Sequence, residues 1–247
     1  MKNINEISTK DMKDIKMIVF DVDGVLVHRG SIIEQEENRI TYEIKKIGTP
    51  EINLIKQLYK KGYIINISSG RSLSYLIEMF REVLPYVILT YENGSASWNK
   101  GNIIQHFNSF DHMIDIYKEL SKVSHKNIKG WEPKEFIITI HCTDRVLEIE
   151  KIVSKYEDLC YIWNGEAYDI EHIDQTKADG LAKLLDNLNL GTANTIAIGD
   201  NFNDKELIDI AGIGVSSDYD RLNTDFYVPM PAGVMMSKIL EICNGNK

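Results

Sequence analysis

Two aspartates, Asp21 and Asp23, stand at the end of the apolar run MIVF and are followed by a glycine. In an extended chain, residues two positions apart point to the same side, so these carboxylates repel each other unless a cation lies between them or one is protonated. Aspartate and glycine also favour turns, so the pair alone fits a strand-ending turn as well as a reactive site. Residues elsewhere in the chain decide between the two.

Two other apolar runs end in polar clusters of the same kind. SSGR at 68–71 follows the run YIINI, and GDNFND at 199–204 follows the run TIAI. In a doubly wound parallel sheet, the ligand site lies at the carboxyl ends of the strands. We therefore expect the three clusters, which are far apart in sequence, to meet at one edge of one sheet.

The side chains in and near these clusters have the chemistry of phosphoryl transfer. Hard oxygen ligands, which suit Mg²⁺, come from four carboxylates: Asp21, Asp23, Asp200 and Asp204. Groups that suit a phosphate anion are a hydroxyl, backbone N–H groups near a helix start and two cations: Ser69, Gly70, Arg71 and Lys177. The sequence therefore predicts a metal-assisted reaction of a phosphate ester.

Strands and helices alternate around these clusters. The sequence predicts strands over 17–20, 63–67, 86–90 and 195–198, with helices beginning near positions 50, 72, 177 and 205 and a last helix over 232–242. Short, wholly apolar strands are typical of a parallel sheet that is buried on both faces. The alternation favours an α/β fold with a doubly wound, Rossmann-like parallel sheet.

Two other segments lie outside this alternation. Residues 1–15 are predicted to form an extension. Residues 28–50 form a long polar connection with strand-like pieces around Ile32–Ile33 and Ile44–Ile47. A connection of this length can act as a flap over the site.

Residues 91–173 have a different pattern, which predicts a second domain inserted in the first. Turn residues at Asn99–Asn102 and Asn164–Glu166 indicate two hairpins, and helices are predicted over about 110–123 and 144–157. We expect an α+β cap domain at 91–173, with the catalytic core formed by 1–90 and 174–247.

The composition limits the partners. There are 37 acidic and 28 basic residues, a formal net charge of −9, which argues against binding to a nucleic-acid backbone. No apolar run is long enough to cross a bilayer, and the charged N-terminus does not resemble a signal peptide. The three cysteines fit no metal motif, so reduced thiols in a cytoplasmic protein are expected. We expect a monomer or homodimer.

In order, DVDGVL, SSGR, KADGL and GDNFND resemble the four motifs of the haloacid dehalogenase (HAD) superfamily of phosphatases. The resemblance extends from Lys16 to about Ile242. The position of the insert between the second and third motifs is similar to that of C2 caps. Its small size resembles the C2B caps of the sugar-phosphatase, Cof-like branch.

The resemblance implies a role for each motif residue. Asp21 would be the nucleophile that forms an aspartyl-phosphate, and Asp23 would protonate the leaving alcohol and then activate water. Ser69 would hold the phosphoryl oxygens, and Lys177 would neutralise them and orient Asp21.

The resemblance also implies a Mg²⁺ site formed by the Asp21 carboxylate, the Asp23 carbonyl and Asp200, with Asp204 supporting it directly or through water. The weaker candidates for phosphate binding are Gly70, Arg71 and Asn203. The weaker candidates for substrate binding by the cap are Asn93 and Glu166.

Ordinary structural roles stay open for several of these residues. Ser69 could cap the next helix, Lys177 could be a solvated lysine, and Arg71 could pair with a surface carboxylate. In the cap, His141 and Glu166 also fit ordinary surface groups.

Three functions follow from these patterns. The leading hypothesis is a Mg²⁺-dependent phosphatase of a small phosphorylated metabolite, such as a sugar or sugar-acid phosphate. The second is a phosphomutase of the phosphomannomutase type, which would return the phosphoryl group to another hydroxyl. The third is a catalytically silent binding protein with the same fold.

Overall fold

The structure, a computed structural model, describes residues 2–228, 237 and 239–241. Its strands are β1 (Lys2–Asn3), β2 (Met17–Phe20), β3 (Ile33–Glu36), β4 (Arg39–Tyr42), β5 (Ile64–Ser68), β6 (Val87–Tyr91), β7 (Ala96–Asn99), β8 (Asn102–Gln105), β9 (Ile128–Glu132), β10 (Ile138–Cys142), β11 (Leu159–Trp163), β12 (Ala167–His172), β13 (Thr195–Gly199), β14 (Ile213–Ser216) and β15 (Phe226–Tyr227). Its helices are α1 (Thr49–Lys60), α2 (Leu73–Met79), α3 (Phe110–Leu120), α4 (Leu147–Val153), α5 (Lys177–Asn187) and α6 (Lys205–Ile210).

Nine strands form the large sheet, in the order β1-β15-β14-β13-β2-β5-β6-β7-β8. The strands from β1 to β6 in this order are parallel to one another. Strand β7 pairs antiparallel with β6, and β8 pairs antiparallel with β7. Phe20 of β2 is level with Ile198 of β13 and Ile67 of β5. The three polar clusters therefore leave the sheet side by side, and the predicted doubly wound α/β fold is confirmed.

Apolar side chains fill both faces of this sheet. Ile18 and Phe20 of β2 join the core that packs under α1 and α2, whereas Met17 and Val19 join the core under α5 and α6. All four are fully buried, and each such side chain contributes about 1.5–3 kcal/mol through removal from water. Burial on both faces explains why β2 is a continuous apolar run.

A smaller antiparallel sheet, in the order β11-β12-β10-β9, lies within the inserted segment. Its apolar face packs against α3 and α4 through residues such as Ile140, Tyr168, Ile116 and Ile149. The opposite face is polar, because alternate residues of a strand point to opposite sides of the sheet. The division of the chain into core and cap stays a prediction.

Two local predictions are corrected by the structure. The hairpin of β7 and β8 extends the large sheet instead of belonging to the insert, because Trp98 pairs with Leu89 of β6. Within the predicted extension, residues 2–3 are an edge strand of the large sheet that pairs with β15. In the 28–50 connection, the hairpin of β3 and β4 spans 33–42, and 44–47 is not a strand.

The predicted helix over 232–242 lies almost entirely outside the described residues. Among the helices that the structure describes, none has the length and apolar character needed to cross a bilayer.

Candidate active site

The carboxyl ends of β13, β2 and β5 bring Asp200, Asp21 and Ser69 to one edge of the large sheet. The Asp21 N–H donates to the Ile198 carbonyl at 2.9 Å, and the Ser69 N–H donates to the Thr90 carbonyl at 2.9 Å. A cavity between this edge and the polar face of the smaller sheet is lined by Asp21, Asp23, Ser69, Gly70, Arg71, Glu166, Lys177, Asp200 and Asn203, among others. Nine of the predicted site residues therefore meet around one space.

Lys177 lies between two buried carboxylates. Its Nζ is 2.6 Å from Asp21 Oδ1 and 2.7 Å from Asp204 Oδ1, and the residue is only 2% exposed. Thr176 caps α5, because its hydroxyl accepts the Asp179 N–H at 3.1 Å, which fixes Lys177 in the first turn. A cation at a helix N-terminus opposes the helix dipole, and the two carboxylates compensate for this.

Asp204 stabilises the loop as well as the lysine. Its Oδ2 accepts the N–H groups of Asp200 at 3.1 Å and Asn201 at 3.2 Å. Both carboxylate oxygens therefore have partners. The GDNFND loop folds back on its own last aspartate, and this brings Asp200 toward Asp21.

The three carboxylates of Asp21, Asp200 and Asp204 form a cluster that fits a divalent cation. One oxygen of each lies within 4.8 Å of the others, and all three residues are buried. Burial, followed by the charge of Asp204, raises the pKa of Asp200 to about 7 and that of Asp21 well above its usual value. A cation such as Mg²⁺ would relieve this repulsion, and carboxylate oxygens are its preferred ligands. The side chain of Asp23 lies outside this cluster.

Arg29 is a site residue that the sequence reasoning missed. Its Nε contacts the Asp200 carboxylate, and its Nη2 donates to the Asp200 carbonyl at 2.8 Å. Arg29 lies in the 28–50 connection, which therefore reaches the acidic cluster. A single arginine in a long polar loop carries no local signal of this contact.

Arg71 lies against Asp23. Its Nε and Nη2 donate to the two Asp23 oxygens at 2.9 and 3.0 Å, and its Nη1 is 3.6 Å from Glu132 Oε2. Its guanidinium also lies 4.8 Å from the Tyr75 ring centroid. Asp23 is thus held at the boundary between the core and the insert, and the alternative of a surface partner for Arg71 does not fit its burial.

Ser69 and Gly70 precede the helix rather than cap it. The Ser69 hydroxyl accepts the Arg71 N–H at 3.2 Å, whereas the cap of α2 is Ser72, whose hydroxyl accepts the Tyr75 N–H at 3.4 Å. Ser69 is 3% exposed and lines the cavity. Its position beside Asp21 and Lys177 is compatible with the predicted contact to phosphoryl oxygens.

The turn after β6 connects the large sheet to the insert. Glu92, which is fully buried, accepts the N–H groups of Phe136 at 2.6 Å and Ile137 at 3.2 Å. Asn93 donates from Nδ2 to Glu171 Oε2 at 2.7 Å, so this predicted substrate residue binds the insert in the structure. Glu166, the other predicted cap residue, accepts the Ser31 N–H at 3.0 Å and lines the cavity.

The polar face of the insert holds further residues that sequence reasoning missed. Four neighbouring side chains line the cavity opposite Asp21: Glu132, Lys134, Thr139 and Asp169. His141, which the sequence also allows as an ordinary surface group, is 4% exposed and accompanies them. The alternation in FIITIH was an available signal, since Thr139 and His141 are two apart on one strand.

Glu171 makes the stability of the protein depend on pH. Burial raises its pKa to about 8, from an ordinary value of 4.5. Between these two values the folded state holds a proton that the unfolded state has lost, so the free energy of unfolding falls as the pH rises. We expect Glu171→Gln, which stays neutral and can accept the same bond from Asn93, to raise the free energy of unfolding at pH 8 by roughly 2–4 kcal/mol.

Urea denaturation of the wild type and of Glu171→Gln at pH 5 and pH 8 measures this effect. The two proteins should differ little at pH 5, and exposed Glu148→Gln should match the wild type at both values. If the free energies of unfolding of the wild type and Glu171→Gln differed by the same amount at both pH values, Glu171 would not be protonated in the folded protein.

Comparison with known proteins supports this fold and identifies the family. The family model of haloacid dehalogenase-like hydrolases matches residues 18–129 and 116–217. The 5-amino-6-(5-phospho-D-ribitylamino)uracil phosphatase YcsE of Bacillus subtilis is 27% identical over 223 residues, with 82% of this chain and 84% of that protein covered.

Solved structures show the same fold. A haloacid dehalogenase-like hydrolase from Bacteroides thetaiotaomicron has a TM-score of 0.69 at 15% identity, covering 91% of this chain and 99% of its own. BT1666, a phosphatase of the haloalkanoate (HAD) superfamily from the same organism, has a TM-score of 0.69 at 19% identity, covering 94% and 96%.

The chain therefore belongs to the haloacid dehalogenase-like hydrolases, as its four motifs predict. With a phosphatase among its relatives, the predicted enzyme class of phosphoric monoester hydrolase is also confirmed.

Proposed function

We propose that this protein is a Mg²⁺-dependent phosphatase that hydrolyses a small phosphorylated metabolite through an aspartyl-phosphate on Asp21. The observation that carries the proposal is the Asp21 carboxylate itself, which is 5% exposed and held by Lys177 at the end of the central strand. The fixed lysine and the neighbouring acidic cluster are groups that phosphoryl transfer requires.

In the first step, an oxygen of Asp21 attacks phosphorus and the bond from phosphorus to the ester oxygen breaks. Because Asp21 Oδ1 accepts from Lys177, Oδ2 is the oxygen assigned to the attack. Asp23, in its protonated form, gives its proton to the departing alkoxide, and Arg71 holds that carboxyl group in place. The alcohol leaves, and the phosphoryl group remains on Asp21.

In the second step, Asp23 takes a proton from a water molecule, which attacks phosphorus. The bond from phosphorus to Asp21 breaks, inorganic phosphate leaves, and both aspartates return to their starting state. Ser69, the backbone of Gly70 and Lys177 bind the phosphoryl oxygens during both steps. Mg²⁺ would be held by Asp21, Asp200 and Asp204, and it would supply charge neutralisation at the transferring group.

A polyhydroxylated phosphate ester is the substrate class that we favour. The Bacillus subtilis relative is named for a phosphorylated ribityl compound, which supports a sugar-like or polyol phosphate. The cavity between the core edge and the insert is lined mainly by polar side chains, which also suits such a compound.

Removal of the metal tests this proposal. We expect the purified protein to release phosphate from p-nitrophenyl phosphate and from sugar phosphates with Mg²⁺, and to lose at least about 100-fold of this activity with EDTA. Added Mg²⁺ should restore turnover and should also raise the Tm of the EDTA-treated protein, because a cation relieves the repulsion among the three carboxylates.

Unchanged turnover and Tm after removal of the metal would contradict the metal site. Conversion of a hexose 1-phosphate to its 6-phosphate without free phosphate would instead indicate the mutase.

A further inference from the structure

The face of the insert that lines the cavity carries both acidic and basic side chains. Thr139 and His141 of β10 point into the cavity, whereas Ile138 and Ile140 between and beside them pack toward α3 and α4. Glu132, at the end of the neighbouring strand β9, lies beside His141 on the same face. This face lies opposite Asp21, where the alcohol part of a phosphate ester would be bound.

Glu132 and His141 form a buried pair in which only some of the polar side-chain atoms have a hydrogen-bond partner. His141 Nε2 lies 2.9 Å from Glu132 Oε2, and each side chain is 5% exposed. Glu132 Oε1 and His141 Nδ1 have no hydrogen-bond partner among the described residues. A buried polar atom without a partner costs about 1–3 kcal/mol, so these two atoms indicate a ligand that completes their hydrogen bonds.

The unpaired oxygen of Glu132 is an acceptor. All the cations near Glu132 contact its other oxygen: Arg71 lies 3.6 Å and Lys134 lies 3.9 Å from Oε2. Burial opposes ionisation of Glu132, but Lys134 and the His141 hydrogen bond bring its pKa down to about 2. Because a carboxylate oxygen only accepts, His141 Nε2 is the donor in its bond to Glu132. The ligand must therefore supply a hydrogen-bond donor to Glu132 Oε1.

The cavity has no unpaired cation to offer an acidic group. Among the described residues that line it, each cation already contacts a carboxylate: Arg29 contacts Asp200, Arg71 contacts Asp23, Lys134 lies 3.5 Å from Asp169, and Lys177 contacts Asp21. On the side of the insert, the cavity is lined by three acidic residues and one lysine: Glu132, Glu166, Asp169 and Lys134. A carboxylate or a second phosphate in the alcohol part would meet net negative charge.

We propose that Glu132 and His141 form a specificity subsite that binds the hydroxyl groups of an uncharged polyol or sugar phosphate and rejects the corresponding acid phosphate. This inference rests on the proposed phosphatase reaction and narrows its substrate class, because the sequence also allowed sugar-acid phosphates. In the wild type, Glu132 accepts from a substrate hydroxyl and repels a carboxylate at the same position.

A matched pair of substrates tests the subsite. Glucitol 6-phosphate and gluconate 6-phosphate differ only in the replacement of one terminal CH₂OH group by a carboxylate. We expect the wild type to have a kcat/KM at least about tenfold higher for the glucitol ester. In Glu132→Gln, kcat/KM should fall for the glucitol ester and rise for the gluconate ester, so that the ratio decreases by roughly 10- to 100-fold.

The ratio of the two activities is measured in one preparation, so it does not depend on the fraction of folded enzyme. Exposed Glu148→Gln, in the same insert, should keep the wild-type ratio. If Glu132→Gln is inactive toward both esters, His141→Gln is measured in its place. Its ratio of kcat/KM for the glucitol ester to kcat/KM for the gluconate ester should also decrease.

A wild-type preference for gluconate 6-phosphate, or no preference, would overturn the subsite. A ratio that stays at the wild-type value in Glu132→Gln would also overturn it. Where Glu132→Gln is inactive, an unchanged ratio in His141→Gln would overturn it instead. Failure of the wild type to hydrolyse any phosphate ester, including p-nitrophenyl phosphate, is a separate outcome, because it would contradict the proposed function itself and with it the assignment of a substrate.

Discussion

Asp21→Asn is expected to abolish the release of phosphate, with kcat reduced at least about 10⁴-fold for every phosphate ester. An amide oxygen is too weak a nucleophile to attack phosphorus, whereas the shape of the side chain is unchanged. The fold should be retained, because the amide oxygen can still accept from Lys177, and Lys177 keeps its contact with Asp204 at 2.7 Å. A continuous p-nitrophenyl phosphate assay with Mg²⁺, together with thermal unfolding, measures both expectations.

The control for this variant is Asp186→Asn, at an exposed position of α5, which should keep wild-type turnover. Asp21→Asn with more than a few per cent of wild-type turnover would mean that water attacks the substrate directly. Loss of turnover together with loss of the folded state would leave the role of Asp21 to be judged from covalent labelling of the wild type.

Lys177→Met is expected to reduce both stability and activity. The lysine is 2% exposed and contacts Asp21 at 2.6 Å and Asp204 at 2.7 Å, so methionine would leave two buried carboxylates without this cation. Breaking a buried ion pair in this way costs about 3–5 kcal/mol of the free energy of unfolding. The loss of a cation at the transferring phosphoryl group should lower kcat roughly 10²- to 10³-fold.

Urea denaturation and the same phosphatase assay measure these two effects. Lys183→Met, at an exposed position of the same helix, should change stability by less than about 1 kcal/mol and leave kcat unchanged. Excess Mg²⁺ should restore part of the stability of Lys177→Met by neutralising the buried carboxylates of Asp21 and Asp204, but it should not restore activity. A fully stable and active Lys177→Met would show that this lysine is not needed at the site.

The core of the site could be predicted because its signals are local. Each of β2, β5 and β13 is an apolar run that ends in a polar cluster, and parallel strands of one sheet end at one edge. The start of α5 was equally local, since Thr176 caps the helix and places Lys177 in its first turn.

The remaining features depend on tertiary contacts that leave little trace in the sequence. The turn at Asn99–Asn102 predicts a hairpin, but only the pairing of Trp98 with Leu89 determines that it joins the large sheet. The contact of Arg29 with Asp200 joins residues that are 171 positions apart. Alternation could show that Thr139 and His141 share a face, but not that α3 and α4 cover the other one.

The covalent intermediate on Asp21 is the central claim of this account, and trapping it is the most direct test. Asp23→Asn, which cannot activate water, is mixed with p-nitrophenyl phosphate and Mg²⁺, because p-nitrophenolate leaves without needing a proton. The reaction is quenched in acid during the first turnover, and the peptides are analysed by mass spectrometry. We predict a phosphoryl group on Asp21 in a stoichiometry that follows the release of p-nitrophenol. Release of p-nitrophenol with Asp21 unmodified would contradict the account.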